Sequence, residues 1–164
     1  MVRVGTIVRK LSSVETLGAV DVVCSDKTGT LTRNRMTVKQ CYVDGRILSV
    51  EEFQKEEQEQ FLNACVLCNN AVLGEENIGD PTELALLFLA RECGREKKAA
   101  EREYARISEY AFDSVRKRMT TIHKTVNGEI AYSKGAADRI LKDCRTVWKN
   151  GKEAAFSEKA KNEA

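Results

Sequence analysis

The chain has 164 residues, enough for one ordinary domain or for one domain with a piece of a second. Charged side chains make up 32% of it, but 27 Lys and Arg nearly balance 25 Asp and Glu, leaving a formal net charge of +2. That balance excludes a strong field aimed at nucleic acid or an anionic membrane surface. The lack of any run near the roughly 18 apolar residues of a spanning helix, or of a signal-peptide core, predicts a soluble chain.

In chain order, Val2 to Lys10 reads as a strand, followed by Ser12 or Ser13 as the cap of a short helix through Leu17 that Gly18 stops. Val20-Asp21-Val22-Val23-Cys24 has the β-branched content of a short buried strand, which would put Asp26 of "CSDKTGTLT" (24–32) just past its carboxyl end. Loops at strand ends are where α/β folds hold chemistry. After "TRNR" the pattern changes: Asp44-Gly45, Asn127-Gly128 and Asn150-Gly151 each join strand-like runs as two-residue hairpins, which argues for a largely antiparallel sheet.

Between the hairpins, Glu51 to Asn70 carries Phe53, Phe61, Leu62, Cys65 and Val66 at helical spacing. A second helix is expected from Pro81 to about Cys93, with Asp80 as cap, Pro81 at the first position, Glu83 where a capping box wants Glu, and Gly94 as the stop. The mixed charges of "GREKKAAEREYAR" (94–106) read as a solvated surface helix or loop. Cys24, Cys41, Cys65, Cys68, Cys93 and Cys144 are scattered through apolar patterns, which suits reduced thiols and predicts no disulfide. Cys65 and Cys68 have zinc-like spacing, but with no second pair nearby they read as buried helix thiols. His123, on a hairpin strand without a nucleophile beside it, reads as structural or exposed.

An aspartate that attacks a terminal phosphoryl group needs nearby donors and positive charge to offset the developing charge. Lys27, Thr28 and Gly29 supply such groups beside Asp26. "DKTGTLT" after a hydrophobic strand closely resembles the phosphorylation loop of P-type ATPases, the cation pumps. The resemblance implies that Asp26 is the aspartyl-phosphate site, that Lys27 and Thr28 act beside it, and that Asp26 and Thr28 meet Mg²⁺ in the intact parent. In the dehalogenase-like phosphatases that share this domain, a second Asp commonly stands two residues after the nucleophile as acid/base. Thr28 stands there in this chain, so the acyl phosphate is expected to last longer, as a pump that must change shape requires.

Residues 36–164 contain no P-loop lysine motif and no dinucleotide-type glycine pattern. They do contain "FDSVRKRM", with Phe112 before Arg116-Lys117-Arg118, and "YSKGAADRIL", where Lys134 precedes a glycine that lets backbone approach a ligand. Singly, Phe112 reads as core, the basic cluster as a solvated face, and Lys134-Gly135 as a strand-to-helix turn. Both segments look like nucleotide-domain motifs of light-cation pumps, as does "GDPTELAL" (79–86). By that resemblance Phe112 stacks on adenine, Glu83 accepts from its exocyclic amine, Lys117 and Lys134 line the pocket, and Gly135 forms its wall. The capping-box reading of Glu83 stands beside this one.

Two departures from the pattern are visible: Ser114 stands where some relatives carry an Arg, and Ala137-Asp138 where Pro and Glu are frequent. The His-Pro pair typical of metal-transporting pumps is missing, and "SVETLG" before the strand looks most like calcium pumps, with sodium/potassium-type pumps next. The family's later "TGD" and "GDGxND"-type segments, which supply Mg²⁺ ligands, do not occur in the sequence, so the chain is expected to bind nucleotide yet turn over little.

The expected architecture is α/β of the α+β type: residues 1–35 lead a phosphorylation domain, and 36–164 form an antiparallel sheet flanked by helices, the nucleotide-binding domain. Expected cofactors are ATP and Mg²⁺. Expected partners are ATP or ADP and the rest of the same pump (membrane helices, actuator and remaining phosphorylation domain) at the cytoplasmic face of a membrane, with no nucleic acid and a monomeric fragment. The rivals are a protein-interaction module and a free-standing dehalogenase-like phosphatase. The latter needs several βα units after the nucleophile, where this chain runs into hairpins.

Overall fold

The structure, a computed structural model, describes residues 18–43, 45–53, 58–149 and 151–163. The expected strand from Val2 and the helix ending at Leu17 lie outside the described residues. The chain divides into two units between Asn34 and Arg35.

In the first unit, every residue from Gly18 to Asn34 is exposed. The buried strand expected at residues 20–24 does not form: Val22 and Val23 are 77% and 80% exposed. β-Branched content favours extended backbone, but a strand is held by cross-strand pairs and a packed face. Among the described residues neither stands beside this segment.

The second unit opens with a hairpin of β1 (Gln40–Val43) and β2 (Arg46–Ser49), in which Val43 faces Arg46 across the two-residue connection that Asp44-Gly45 predicts. The helix expected over 51–70 is shorter. Ser49 N–H donates to Glu52 Oε2 at 2.7 Å, fixing a tight turn at Val50–Glu52. Phe53 then runs extended and packs its ring against Phe61, centroids 5.4 Å apart. Helix α1 covers only Glu59–Leu67, because the Asn69 side chain intercepts the helical ladder, donating to the Cys65 carbonyl at 3.0 Å and accepting from Ala71 N–H at 2.9 Å.

Helix α2 (Pro81–Glu92) starts as predicted, with Asp80 accepting from Thr82 N–H at 2.8 Å. That hydrogen bond holds the Asp80 carboxyl below its ordinary range. Helix α3 (Lys97–Glu103) leads into an antiparallel sheet of β3 (Ala105–Asp113), β4 (Arg118–Thr125) and β5 (Gly128–Gly135), in that order. Thr125 pairs with Gly128, so this connection is Val126-Asn127, one residue earlier than the Asn-Gly signal suggests. Asn127 N–H donates to Thr125 Oγ1 at 3.1 Å, and that hydroxyl donates to the Gly128 carbonyl, which fixes the shifted turn. Helix α4 (Ala137–Asp143), the hairpin β6 (Thr146–Lys149) with β7 (Lys152–Ala155), and helix α5 (Glu158–Glu163) follow.

The antiparallel α/β architecture therefore holds, but among the described residues the strands fall in three sheets of two, three and two rather than in one. The core lies on one face of the three-stranded sheet. Along β4, Met119, Thr121 and His123 alternate inward and pair with Lys134, Tyr132 and Ile130 of β5. Helix α1 buries Leu62, Cys65, Val66 and Leu67 against α2, α3 and β5, and Cys41 of β1 joins them. Cys65 and Cys68 are buried as expected, and burial pushes the Cys65 thiol up to about 12. All six cysteines are free thiols.

His123 is fully buried, with Nδ1 3.0 Å from the Tyr104 carbonyl and Nε2 2.9 Å from Thr121 Oγ1. A carbonyl can only accept, so Nδ1 carries the proton and Nε2 accepts from the hydroxyl, which is the neutral ring. Burial pushes its pKa below the ordinary imidazole range and Arg106 adds to the fall, against the Tyr104 carbonyl and Glu101. The unfolded chain takes up this proton near pH 6.5 and the folded one only lower, so stability falls as pH drops below about 6.5. Urea midpoints should decline from pH 7.5 to pH 5.5, and by less in His123→Gln, which does not titrate.

Candidate functional site

The predicted residues fall in both units: Asp26, Lys27 and Thr28 in the first, Glu83, Phe112, Lys117, Lys134 and Gly135 in the second. Asp26 heads a wide turn. Its Oδ1 accepts from Thr28 N–H at 3.3 Å, and Thr32 N–H closes the turn onto the Lys27 carbonyl at 3.1 Å. Gly29 sits at φ +76°, a conformation an L side chain resists, which lets the chain double back within five residues, Lys27–Leu31. Asp26, Lys27 and Thr28 are all exposed. Among the described residues no three His, Cys, Asp or Glu side chains gather as a metal site.

In the second unit, Lys134 at the end of β5 points to the inner face and forms an ion pair with Glu83 in the first turn of α2. The two side chains are 26% and 16% exposed, so the pair lies at the border of the core and solvent. The other Glu83 oxygen, Oε2, accepts from Asn70 N–H at 3.2 Å. Glu83 thus faces Lys134 and Asn70 instead of closing a capping box on Asp80. Two of the roughly four lone-pair positions of the carboxylate stay open for a further donor.

Gly135 is required where it stands. A Cβ there would come within 2.2 Å of the Lys117 carbonyl oxygen and 2.7 Å of Arg118 Cα, and Ala136 N–H donates to that same carbonyl at 3.0 Å. Lys117 closes the β3–β4 turn at φ +52°, with Asp113 Oδ1 accepting from both Val115 and Arg116 N–H at 3.0 and 2.7 Å. Phe112 is not core. It is 64% exposed, within the irregular stretch between the Tyr110–Thr120 and Asp113–Arg118 pairs. Strand register therefore gathers Phe112, Lys117, Lys134 and Gly135 at one end of the three-stranded sheet. A groove of about 240 Å³ beside the Lys117 turn is lined by Val115, Arg116, Arg118, Arg139, Lys142 and Asp143.

The charged segment 94–106 corrects the expectation of a merely solvated surface. Lys97 Nζ donates to the carbonyls of Asn69 and Ala71 at 2.8 and 2.9 Å, and Arg106 Nη2 to those of Leu67 and Asn69 at 2.7 and 3.0 Å. Desolvation pushes the Lys97 ammonium below its ordinary value. Asn70, Arg106 and Glu109, which form one hydrogen-bonded cluster behind Glu83, have no local sequence signal. The charge density of 94–106 points toward Arg106 alone.

The family described as "P-type ATPase, cytoplasmic domain N" matches residues 57–164, and the chain belongs to the P-type ATPase family. Among its curated relatives, "Calcium-transporting ATPase 1" of Bacillus cereus is 41% identical over 99% of this chain and 19% of its own length. "Calcium-transporting ATPase 1" of Lactococcus lactis is 35% identical over 98% of this chain and 19% of its own. "Sodium/potassium-transporting ATPase subunit alpha-B" of Artemia franciscana is 34% identical over 94% and 18%. The chain thus spans about a fifth of the length of these relatives. Among the described residues no helix is long and apolar enough to cross a membrane.

Two substitutions at the rim should move stability in opposite directions. Gly135→Ala must push backbone aside and should cost about 1–3 kcal/mol by denaturant titration. Lys117→Gly relieves a left-handed backbone and should gain up to about 1 kcal/mol.

Proposed function

We propose that residues 36–164 are the nucleotide-binding domain of a cation pump, and that residues 1–35 lead its phosphorylation domain. The observation that carries this reading is the gathering of an exposed aromatic, Phe112, two cations, Lys117 and Lys134, and a carboxylate with open lone pairs, Glu83, around one end of a sheet. Their chemistry fits a nucleotide: Phe112 offers a stacking face, Glu83 an acceptor for the adenine amine, and Lys117 and Lys134 positive charge along the pocket. Gly135 brings the backbone of β5 against the Lys117 turn, leaving no side chain between them.

In the parent protein, an Asp26 carboxylate oxygen attacks the γ-phosphorus of ATP, the bond to the β–γ bridging oxygen breaks, and ADP leaves, with an acyl phosphate on Asp26. Mg²⁺, when bound, neutralises phosphate charge, held in part by Asp26 and Thr28 with ligands from elsewhere in the parent. Lys27 and the N–H groups of the turn at Lys27–Leu31 offset the developing charge. Thr28 has no carboxylate to activate water, which suits an intermediate that persists while the pump changes shape. The names of the bacterial relatives favour calcium as the ion moved. The rest of that pump is the partner, and the site lies at the cytoplasmic face of its membrane.

The test is an NMR titration of the chain with ATP and ADP. Shifts should centre on Glu83, Phe112 and Lys134, with Kd in the range of about 10 μM to a few mM, and Phe112→Ala should weaken binding by about 1–3 kcal/mol. No response at millimolar ATP would favour the interaction-module reading instead.

A further inference from the structure

We infer that Asn70 is a positioning residue for Glu83 that sets the preference of the site for a 6-aminopurine over a 6-oxopurine nucleotide. The inference rests on the nucleotide reading above. Its ground is a chain of contacts that joins the base-reading carboxylate on α2 to the strand carrying the stacking aromatic. Asn70 N–H donates to Glu83 Oε2 at 3.2 Å, while its side-chain Nδ2 donates to Glu109 Oε1 of β3 at 2.8 Å. Arg106 Nη1 closes the cluster, donating to Asn70 Oδ1 at 2.7 Å and to Glu109 Oε2 at 3.0 Å. The Asn70 side chain therefore has its donor and its acceptor end engaged by two residues of β3, Glu109 and Arg106, three and six positions before Phe112.

The physical consequence lies in the Glu83–Lys134 pair, which presents an acceptor and a donor side by side at the rim. A 6-amino group donates and needs the carboxylate; a 6-oxo group accepts and would be met by the ammonium. Which of the two a bound base encounters depends on where Glu83 is held. With Oε2 pinned by the Asn70 amide, the carboxylate cannot swing away, so a 6-oxopurine brings two acceptors face to face. Freeing residue 70 lets Glu83 turn, which weakens the bond to the amine and relieves the repulsion of the 6-oxo group together. A residue that served only to hold the fold would change both affinities alike.

The experiment measures Kd for ATP and for inosine triphosphate, its 6-oxo counterpart, by NMR titration of the wild-type chain, Asn70→Ala, Glu109→Ala and Glu109→Gln. The wild type should prefer ATP. Asn70→Ala should shrink the ATP-to-inosine ratio by about two- to tenfold, with little change in thermal midpoint because the side chain it removes is exposed. Glu109→Ala should follow it, and Glu109→Gln, which keeps an acceptor oxygen for Asn70, should retain most of the ratio. A wild type that binds ATP while the ratio stays unchanged in Asn70→Ala and Glu109→Ala overturns this inference and leaves the nucleotide reading standing. A wild type that binds neither nucleotide overturns both.

Discussion

The second unit depends on how α1 ends. A helix leaves its last carbonyls without partners, and α1 stops inside the core, where water cannot serve them. Lys97 and Arg106, from either end of the charged segment, donate to the carbonyls of Leu67, Asn69 and Ala71. Two cations at a helix C-terminus also face the negative end of its dipole, so one arrangement meets both needs. Asn69, buried among them, donates through Nδ2 to the Glu83 main-chain carbonyl at 2.9 Å, which ties the end of α1 to the start of α2.

From that tie the site geometry follows. Asp80 and Pro81 fix where α2 begins, Asn69 fixes it against α1, and Glu83 one turn in is brought opposite Lys134. On the sheet side, the register of β4 and β5 sets Met119 against Lys134 and Arg118 against Gly135, so the lysine faces inward while the glycine lies on the Lys117 turn. The polar rim is thus held by the same contacts that close the core. Changes at Lys97 or Arg106 would act on it through the backbone of residues 67–71.

Much of this was legible in the sequence where the signal is local. The Asp80-Pro81 helix start is set by neighbouring residues and the structure shows it as read, and the pairing of Val43 with Arg46 and of Lys149 with Lys152 agrees with the hairpins expected around Asp44-Gly45 and Asn150-Gly151. The failures are tertiary. Residues 20–24 have strand composition but no partner among the described residues, helix 51–70 was cut by the Phe53 and Asn69 contacts, and the charges of 94–106 turn inward to carbonyls no pattern reveals. At the site, the resemblance named Glu83 and Lys134 separately, and their pairing appears only in the structure. Asn70 became visible only through its partners on β3.

The central claim, that an adenine base sits on Phe112 beside Glu83, is met most directly by intermolecular nuclear Overhauser effects at saturating ATP. The account predicts contacts from the adenine H2 and H8 protons to the Phe112 ring, together with a shift of the Asn70 amide that holds Glu83. Contacts instead to Val115 and the groove of Arg116, Arg118 and Arg139, with the Phe112 ring untouched, would contradict it.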